Sequence, residues 1–482
     1  MMSSKIRKRK YSPLWPVAAS LAIMSLPCTS ADHVAVPEPK QPNVLLIFAD
    51  DLGYADTGFQ NRSKDVKTPN LDRLAEDGVI FDAGYVTAPV CGPSRAGMLT
   101  GRYQQRFGAH DNVGPYILEE GIEQGVPVNI PTIGHYFQDA GYKTAIIGKW
   151  HDGDAKQFWP QNRGFDEFVG FNNGAADYFV GARNEENSKN APFSSIYRND
   201  QLIAPFDQYL TDKFGDEAVS FIERNQDQPF FLYVPFNAIH GPQQALEDDL
   251  QRFSYIENPK RRLAVAMNYN MDHNVGRIIA KLEEHQLMED TLIIFLSDNG
   301  GKFLGKHGNE SYNLPLRSEK GQVWDGGIRI PFTITWKGTI PAGRTISDPI
   351  ISLDILPTAL AAIGVKAPQE MQLDGTDLLP LLKGEKEHLD NRFLYWHMPN
   401  QAAIRDNNWK LIMPNLSDEN ASYELYRISD DISESNNVAD THPEQVTRLI
   451  SEFASWSNDN MPQLWGWDKN RLKYTNGWRG RY

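Results

Sequence analysis

The chain has 482 residues, of which 40% are hydrophobic and 23% are charged, and its formal net charge is −14. This length allows one large domain and a smaller one, and the hydrophobic content suits a globular core. Because the chain is acidic, nucleic acid is excluded as a partner, and an anionic substrate would need a local cluster of cations.

Residues 1–31 have the pattern of a signal peptide. Five basic residues precede the apolar stretch LWPVAASLAIMSL, and small residues follow at 29–31, where a signal peptidase cleaves. The apolar stretch is short for a bilayer span, and no other segment resembles a membrane helix. A lipid anchor on Cys28 is the second choice, because Leu26 and Pro27 stand where that signal needs small residues. We predict an exported protein, periplasmic or secreted, with no membrane insertion after signal removal.

Four short apolar runs alternate with helical patterns after the signal. They are NVLLIFADD (43–51), KTAIIGKWH (143–151), FFLYVPFNAIH (230–240) and TLIIFLSDNGG (291–301). Continuous apolar strands belong to a sheet covered on both faces. The alternation predicts an α/β fold with a large, mostly parallel mixed sheet flanked by helices.

Two stretches between these runs have clear helical signals. In TPNLDRLAEDG, Thr68 is placed as an N-cap, Pro69 lies in the first turn and Gly78 ends the helix. The long stretch 258–286 is predicted as another helix.

Each apolar run becomes polar only at its carboxyl end. The polar groups are Asp50-Asp51, then Lys149 with His151, then His240, then Asp298-Asn299. Ligands of open α/β sheets bind outside the carboxyl ends of the strands, so these groups converge if the four strands are neighbours. Lys149 and His151 are two residues apart, which predicts that both face the same side of a strand.

Asp50, Asp51, Asp298 and Asn299 form a candidate metal site. Three carboxylates and one amide oxygen suit a hard cation better than zinc, with Ca²⁺ preferred to Mg²⁺. A single such pair at a strand end often only caps a turn. Two pairs at the ends of two core strands favour the metal site.

Cys91 has no thiol partner once the signal peptide with Cys28 is removed. Pro93 and Gly101 predict a helix that starts just after Cys91, which would place Cys91 where a helix N-terminus favours an anion, with Arg95 on the same side. Sulfur is a poor ligand for Ca²⁺. Three interpretations stay open here: a buried structural cysteine, a thiol nucleophile, or a thiol converted into an oxygen-bearing group.

The pattern changes after residue 385. RFLYWHM, QAAIRD, NWKLIMP and SYELYRI predict a small antiparallel sheet, and a helix is predicted at 441–456. We therefore predict a catalytic domain at 32–385 and a C-terminal subdomain at 386–482. The tail holds Trp465, Trp467 and Trp478 among basic residues, which indicates either plain packing or sugar stacking.

CGPSRAGMLTGR matches the C-x-P-S-R-x-x-x-L-T-G-R signature of the type I sulfatases, whose fold is alkaline phosphatase-like. NVLLIFADDLGY, GYKTAIIGKWH, His240, the DNGG at 298–301 and KGQVWDGGIRIP occur in that family's order and spacing. In this family the cysteine is oxidised to formylglycine. The resemblance implies that Cys91 is the precursor of that group and that a formylglycine-generating maturation enzyme is a partner.

The resemblance also implies a role for each site residue. The metal ligands would be Asp50, Asp51, Asp298, Asn299 and the modified Cys91, and the catalytic residues would be Cys91, Arg95, Lys149, His151, His240 and Lys320. Arg95 and Lys149 would hold the formylglycine oxygens, and Lys149, Lys320 and Arg95 would stabilise the charge on sulfate. His240 would protonate the leaving sugar oxygen, and His151 would take a proton from the second hydroxyl. Lys302 and Lys306 are competitors of Lys320.

The sequence departs from the family pattern at two places. Asp152-Gly153 follows GKWH where Leu-Gly is usual, and Ile239 precedes His240 in place of a proline. Neither change removes a functional group.

The loop HGNESYNLPLRSEKG resembles that of arylsulfatase B and of bacterial polysaccharide sulfatases, and His307 and Arg317 are candidate sugar contacts in it. The implied substrate is a sulfated carbohydrate, either a carrageenan-type galactan or a glycosaminoglycan. The alternatives are a phosphodiester or phosphonate hydrolase of the same superfamily and a noncatalytic glycan-binding protein.

Overall fold

The four apolar runs form four adjacent strands in the middle of one sheet. A computed structural model describes the chain over residues 41–114, 116–117, 123–153, 155–180, 195–303, 308–418, 420, 422–466 and 473–474. The predicted signal peptide at 1–31 lies outside these residues.

The central sheet has ten strands. Across the sheet they are β12 (Arg344–Ile346), β2 (Val79–Phe81), β11 (Phe332–Thr335), β10 (Thr291–Ser297), β1 (Asn43–Ala49), β9 (Phe230–Pro235), β5 (Lys143–Lys149), β6 (Glu167–Phe171), β7 (Tyr197–Arg198) and β8 (Gln201–Leu202). The five strands from β10 to β6 are parallel, whereas β11 and β7 run antiparallel to their neighbours. The prediction of a mostly parallel mixed sheet is confirmed.

Helices cover both faces of this sheet. The α-helices are α1 (Pro69–Glu76), α2 (Cys91–Thr100), α3 (Ile133–Asp139), α4 (Leu210–Asn225), α5 (Glu247–Arg252), α6 (Pro259–Glu284), α7 (Asp325–Ile328), α8 (Ile355–Ala362), α9 (Leu379–Leu382) and α10 (Pro443–Asn458). Alternate residues of β1 enter two separate cores: Leu46 packs with residues of α2 and α3, and Leu45 packs with residues of α1, α4 and α6. Burial on both sides explains why β1 is apolar without interruption.

Helix α1 differs from its predicted capping. Thr68 is the N-cap residue, as predicted, but its hydroxyl makes no capping hydrogen bond to a backbone N–H of the helix. The hydroxyl accepts a hydrogen bond from the Gly58 N–H and donates one to the Asp72 side chain. The helix ends before Asp77, and Gly78 is needed because a Cβ there would overlap Thr335. Its small size, rather than a left-handed conformation, suits that position.

The C-terminal sequence forms the predicted antiparallel sheet with its helix. Its four strands are β14 (Leu394–Met398), β15 (Gln401–Arg405), β16 (Trp409–Met413) and β17 (Glu424–Arg427). Trp396 of this sheet is fully buried, and its indole donates a hydrogen bond to the Val86 carbonyl. Residues 41–482 form one structural unit, so the domain boundary after residue 385 stays a prediction.

Short pairs of strands complete the described fold. β3 (Gly84–Tyr85) pairs with β13 (Ile350–Ile351), and β4 (Tyr116–Ile117) pairs with β18 (Lys473–Tyr474). Trp465 is 2% exposed and donates to the Asp111 carbonyl, so it packs in the interior. The predictions for Trp467 and Trp478 lie outside the described residues. No helix in the described part of the chain is both long and apolar enough to cross a bilayer.

Candidate active site

The register between β1 and β10 brings the two acidic pairs together. Ala49 lies opposite Ser297, so Asp50-Asp51 and Asp298-Asn299 leave adjacent strands at the same edge of the sheet. The Asp298 carboxylate accepts a hydrogen bond from the Asp51 N–H at 3.1 Å, and the Asn299 amide donates to the Asp51 carboxylate at 2.8 Å. All four side chains are buried.

Cys91 lies within this acidic group at the first residue of α2. Its Sγ is 3.5 Å from Asp50 Oδ1 and 3.9 Å from Asp51 Oδ1. The helix thus begins one residue earlier than predicted, at Cys91 itself. Gly101 ends the helix in a left-handed conformation, as its position predicts.

Three predicted cations surround the same carboxylates. Arg95 donates to Asp298 Oδ2 through Nε at 3.1 Å and through Nη2 at 2.8 Å, and it lies 3.8 Å from Asp50. Lys149 Nζ is 2.7 Å from Asp50 Oδ2. Lys320 Nζ is 2.6 Å from Asp51 Oδ1 and 3.2 Å from Cys91 Sγ. Three carboxylates and three cations therefore balance in formal charge.

The two predicted histidines also lie at this cluster. His240 Nδ1 is 2.6 Å from the Gly241 carbonyl, which can only accept, so Nδ1 carries the proton and Nε2 faces Asp51 at 3.8 Å. β5 ends at Lys149, and His151 has a left-handed φ of 60°. The expectation of strand alternation between Lys149 and His151 is therefore wrong, because a turn places His151.

The donor set fits a hard divalent cation. Ligand atoms of Asp50, Asp51, Cys91 and His240 all lie within 4.8 Å of one another. Asn299 Oδ1 is buried and has no hydrogen-bond partner among the described residues, so this oxygen is available to a ligand. A buried acceptor without a partner carries a free-energy penalty that a bound cation would remove.

Burial and neighbouring charges shift the pKa values in the cluster. Burial and the Asp298 carboxylate raise the pKa of Asp50 to about 7. Burial also opposes ionisation of Asp51, but Lys320 and His240 outweigh it and lower the pKa of that carboxyl. Burial, with Asp298, raises the pKa of the Cys91 thiol above its usual range. A thiol kept in its neutral form is a weak nucleophile, which argues against the thiol-nucleophile interpretation.

Two glycine pairs let the loop of Lys320 approach the metal-site loop. The Gly300 N–H donates to the Gly327 carbonyl at 3.0 Å, and a Cβ on Gly300 would overlap the Gly326 carbonyl. Only a glycine fits this close approach of two backbones. The DNGG and WDGG motifs thus bring the loops of Asn299 and Lys320 together, and both side chains contact Asp51.

Several residues that hold the site residues in place could not be predicted from the sequence. Asn309 donates to the Asp51 carbonyl at 3.3 Å, and the Tyr178 hydroxyl donates to the His240 carbonyl at 2.9 Å. Asp56 pairs with Arg261 at 2.8 Å beneath the loop that follows Asp51. These contacts join residues far apart in the chain, and only a sign of co-variation could have indicated them.

The other candidate residues of the loop before Lys320 do not contact the acidic cluster in the described part of the chain. Arg317 contacts Glu424 and Tyr426 of β17, so it joins the loop to the C-terminal sheet. His307 and Lys306 lie outside the described residues. Lys302 has no contact with the acidic cluster among the described contacts, whereas Lys320 contacts Asp51 directly.

Two family models match this chain. The model described as Sulfatase matches residues 42–365, and the model described as N-sulphoglucosamine sulphohydrolase, C-terminal, matches residues 318–456. Uncharacterized sulfatase YdeN of Escherichia coli K12 is 28% identical and covers 90% of this chain and 88% of its own. N-acetylgalactosamine-6-sulfatase of Canis lupus familiaris is 32% identical and covers 77% of this chain and 71% of its own.

Solved structures are also similar to this chain over most of its length. The crystal structure of Ps i-CgsB in complex with k-i-k-neocarrahexaose has 36% identity and a TM-score of 0.82, and covers 89% of this chain and 96% of its own. The PsFucS1 sulfatase from Pseudoalteromonas sp. has 25% identity and a TM-score of 0.74, and covers 87% of this chain and 90% of its own. A phosphonate monoester hydrolase from Silicibacter pomeroyi, at 20% identity and a TM-score of 0.62, shares the fold alone.

Proposed function

Because this chain belongs to the sulfatase family and is a sulfuric ester hydrolase, we propose that it removes sulfate from a sulfated carbohydrate after export. The observation that carries the proposal is the buried cluster at the sheet edge, in which Asp50, Asp51 and Asn299 meet Cys91 and Lys320. Residues 32–385 would form the catalytic domain and residues 386–482 the C-terminal subdomain.

Asp50, Asp51, Asp298 and Asn299 would hold a divalent cation, for which Ca²⁺ is preferred to Mg²⁺. Such a cation supplies positive charge that acidifies a nearby hydroxyl and attracts a sulfate group. Since the carboxylates and the cations of the cluster balance, two added charges would leave the site positive and attractive to an anionic ester.

Cys91 would be converted to formylglycine by a maturation enzyme. As its hydrate, this group would supply one hydroxyl for attack on sulfur and a second through which the aldehyde could be restored. Arg95 and Lys149 would hold oxygens at residue 91. Their contacts with Asp50, the nearest carboxylate to Cys91 Sγ, support this role. Lys320 would neutralise charge on the sulfate.

Two histidines would move the protons. His240 presents Nε2 to the cluster, and we assign it the protonation of the departing sugar oxygen. Burial and Lys320 lower the pKa of His240 to about 3, so the acid role requires that Nε2 takes up its proton when the anionic ester binds. His151 is buried, and burial together with Lys149 lowers its pKa well below the usual range. A neutral imidazole can accept a proton, which suits His151 as the base that acts on the second hydroxyl.

A sulfated galactan of the carrageenan type is the leading substrate, and a glycosaminoglycan is the second. The neighbour with the neocarrahexaose ligand resembles this chain over more of both chains than the N-acetylgalactosamine-6-sulfatases do. Purified enzyme would be screened against defined sulfated oligosaccharides of both classes, with the products separated by chromatography. Turnover of an aryl phosphate well above the matching aryl sulfate would favour the phosphodiester or phosphonate hydrolase.

Peptide mass spectrometry of residue 91 tests the nucleophile. We expect an aldehyde at residue 91 in active enzyme, and we expect Cys91→Ser to lose at least roughly 10³-fold in turnover, because a serine cannot restore the aldehyde. An intact thiol at residue 91 in fully active enzyme would contradict the proposal.

A further inference from the structure

A surface cavity lies away from the acidic cluster and has no role in the proposed reaction. Its volume is about 700 Å³, and its lining includes Lys64, Lys67, Arg252 and Tyr255. This volume falls in the range of roughly 300–1,000 Å³ that is typical of small-molecule sites. The cavity lies between the 61–67 loop and the residues that join α5 to α6.

The cavity carries unbalanced positive charge. Lys64, Lys67 and Arg252 are exposed, and none of them forms an ion pair with a described carboxylate. Among the nearby acidic residues, Asp65 is paired with Arg261 at 2.8 Å and Asp249 interacts electrostatically with Arg252. Asp72 lines the cavity and keeps its charge, because its hydrogen bond comes from the neutral Thr68 hydroxyl. In a chain with a net charge of −14, three cations against one carboxylate in the lining make this cavity a local anion-attracting site.

Aromatic rings form the other part of the lining. Tyr255 is 61% exposed at the cavity, and the guanidinium of Arg252 stacks over the ring of Tyr269 at 4.8 Å. Phe253 is buried between them and packs with Val66 in a small apolar core below the cavity. This core gives the rings a fixed base, so Tyr255 can present a flat face to a ligand at low entropic cost.

The cavity is connected to the active site through Arg261. Asn309 donates to the Asp51 carbonyl, and the carbonyl of the next residue, Glu310, accepts from Arg261 at 2.9 Å. Arg261 also binds Asp65 of the cavity-lining loop. A chain of hydrogen bonds therefore joins the cavity-lining loop to the backbone of Asp51.

We propose that this cavity is a second carbohydrate-binding site, which holds a sulfated sugar unit and anchors a sulfated polysaccharide to the enzyme. The proposal rests on the proposed function for its choice of ligand. Cations recognise sulfate groups, and the exposed tyrosine face recognises the apolar face of a sugar ring. Neither feature by itself selects a sulfated sugar, whereas the two together do.

The test uses two triple variants of the full-length enzyme with equal charge. Lys64→Ala/Lys67→Ala/Arg252→Ala removes the cations of the cavity, and Lys337→Ala/Lys366→Ala/Lys383→Ala removes three exposed lysines elsewhere. Binding to immobilised carrageenan polymer and turnover of that polymer and of 4-nitrophenyl sulfate are measured for each. We expect the cavity variant to bind the polymer roughly tenfold more weakly and to show a higher KM for it, with 4-nitrophenyl sulfate turnover unchanged.

The control variant is expected to stay within about twofold of the parent in polymer binding. Equal losses in both triple variants, or no loss in the cavity variant, would overturn the proposal. If the enzyme hydrolyses no sulfated galactan, the proposed function fails, while the binding assay still decides whether the cavity holds the polymer.

Two further measurements separate a glycan site from a general polyanion site. Tyr255→Ala is expected to weaken polymer binding about three- to fivefold, whereas Tyr255→Phe keeps the ring and the affinity. A single-stranded DNA oligonucleotide that binds the cavity as tightly as the polymer does, and loses affinity equally in the cavity variant, would overturn the assignment to a sulfated sugar.

Discussion

The pKa of each residue in the site depends on its burial and on the charges of its neighbours. Asp50 and Asp51 are neighbours in sequence, yet burial and Asp298 raise the pKa of Asp50 to about 7, while Lys320 and His240 hold that of Asp51 low despite its burial. Each of the two carboxyls contacts a lysine, so the difference comes from their other neighbours. The charge of Asp298 acts on Asp50, whereas His240 and the hydrogen bond from Asn299 favour the ionised form of Asp51. The proton transfers assigned to His240 and His151 can be tested at this scale.

Replacing His240 should affect substrates with poor leaving groups most. A sugar oxygen leaves slowly unless it is protonated, whereas a 4-nitrophenolate leaves without a proton. We expect His240→Ala to lower turnover of a sugar sulfate by roughly 10²–10⁴-fold and turnover of 4-nitrophenyl sulfate much less. The measurement is kcat for both substrates. His388→Ala, which changes an exposed histidine, serves as the control, and equal losses on both substrates would exclude the acid role.

Asp152, one of the two departures from the family pattern, should make stability depend on pH. It is 3% exposed, and one of its carboxylate oxygens has no partner among the described residues. Burial raises the pKa of Asp152 to about 7 although Arg163 is near. In the unfolded chain this carboxyl ionises near pH ~3.9. The folded state therefore holds an extra proton between these values, and its free energy of unfolding falls as pH rises from about 4 to 7.

Asp152→Asn should remove that dependence. We expect the variant to be more stable than the parent above pH 7, by up to about 4 kcal/mol, and equally stable below about pH 4. Urea unfolding at several pH values measures the difference. Asp139→Asn serves as the control. It replaces an exposed acidic residue and should not change the pH dependence of stability. A constant difference across the pH range would contradict the argument.

At the scale of elements, a buried lysine of the C-terminal sheet forms ion pairs that connect this sheet to the segment after Lys320. Lys410 of β16 is buried, and its Nζ lies 2.6 Å from Asp325 and 2.7 Å from Glu434. Asp325 begins α7, directly after the segment that carries Lys320. The C-terminal sheet therefore supports the loop that supplies one of the site's three cations.

Lys410→Met should destabilise the protein by about 3–5 kcal/mol, because it leaves the buried Glu434 without its cation and leaves Asp325 with Arg329 at 3.3 Å alone. Denaturant unfolding measures the loss, and turnover should fall with it if the Lys320 loop moves. Adding Glu434→Gln should restore part of the stability, since one uncompensated charge is then removed. A double variant less stable than Lys410→Met would show that the ion cluster is not the cause.

At the scale of the whole molecule, a bound cation should couple the site to overall stability. The acidic pairs come from β1 and β10 at the centre of the sheet, so a ligand that holds them together binds only the folded chain. The stabilisation follows RT ln(1 + [L]/Kd) and reaches about 2.7 kcal/mol at a hundredfold excess over Kd.

Calcium should therefore raise Tm, and a chelator should lower it and abolish turnover. We expect a shift of a few degrees, roughly 2–4 °C per kcal/mol or less for a chain of this length. Asp51→Asn, which removes one ligand charge, should lose most of the response. An identical Tm with calcium and with chelator would argue against the metal site, and a larger shift with Mg²⁺ would reverse the preference for Ca²⁺.

Much of the fold and of the site could be predicted from local sequence. The four apolar runs became four parallel strands, the helix predicted at 258–286 was found at Pro259–Glu284, and the C-terminal sheet formed as expected. The fold class and the sulfatase family are confirmed. Where local prediction was wrong, the surroundings were the cause. The Thr68 hydroxyl bonds Gly58 and the Asp72 side chain in place of a backbone N–H of α1, and His151 lies beyond the end of β5 with a left-handed φ.

The sequence by itself determined the chemical types at the strand ends and the residue that could be oxidised, because those depend on composition and motif. The tertiary structure alone decided which cation contacts which carboxylate, that Arg317 contacts the C-terminal sheet, and that Lys64, Lys67 and Arg252 line one cavity. The physical reason is that charge pairing and burial arise between segments hundreds of residues apart, whose approach is set by strand order and register and not by any local pattern.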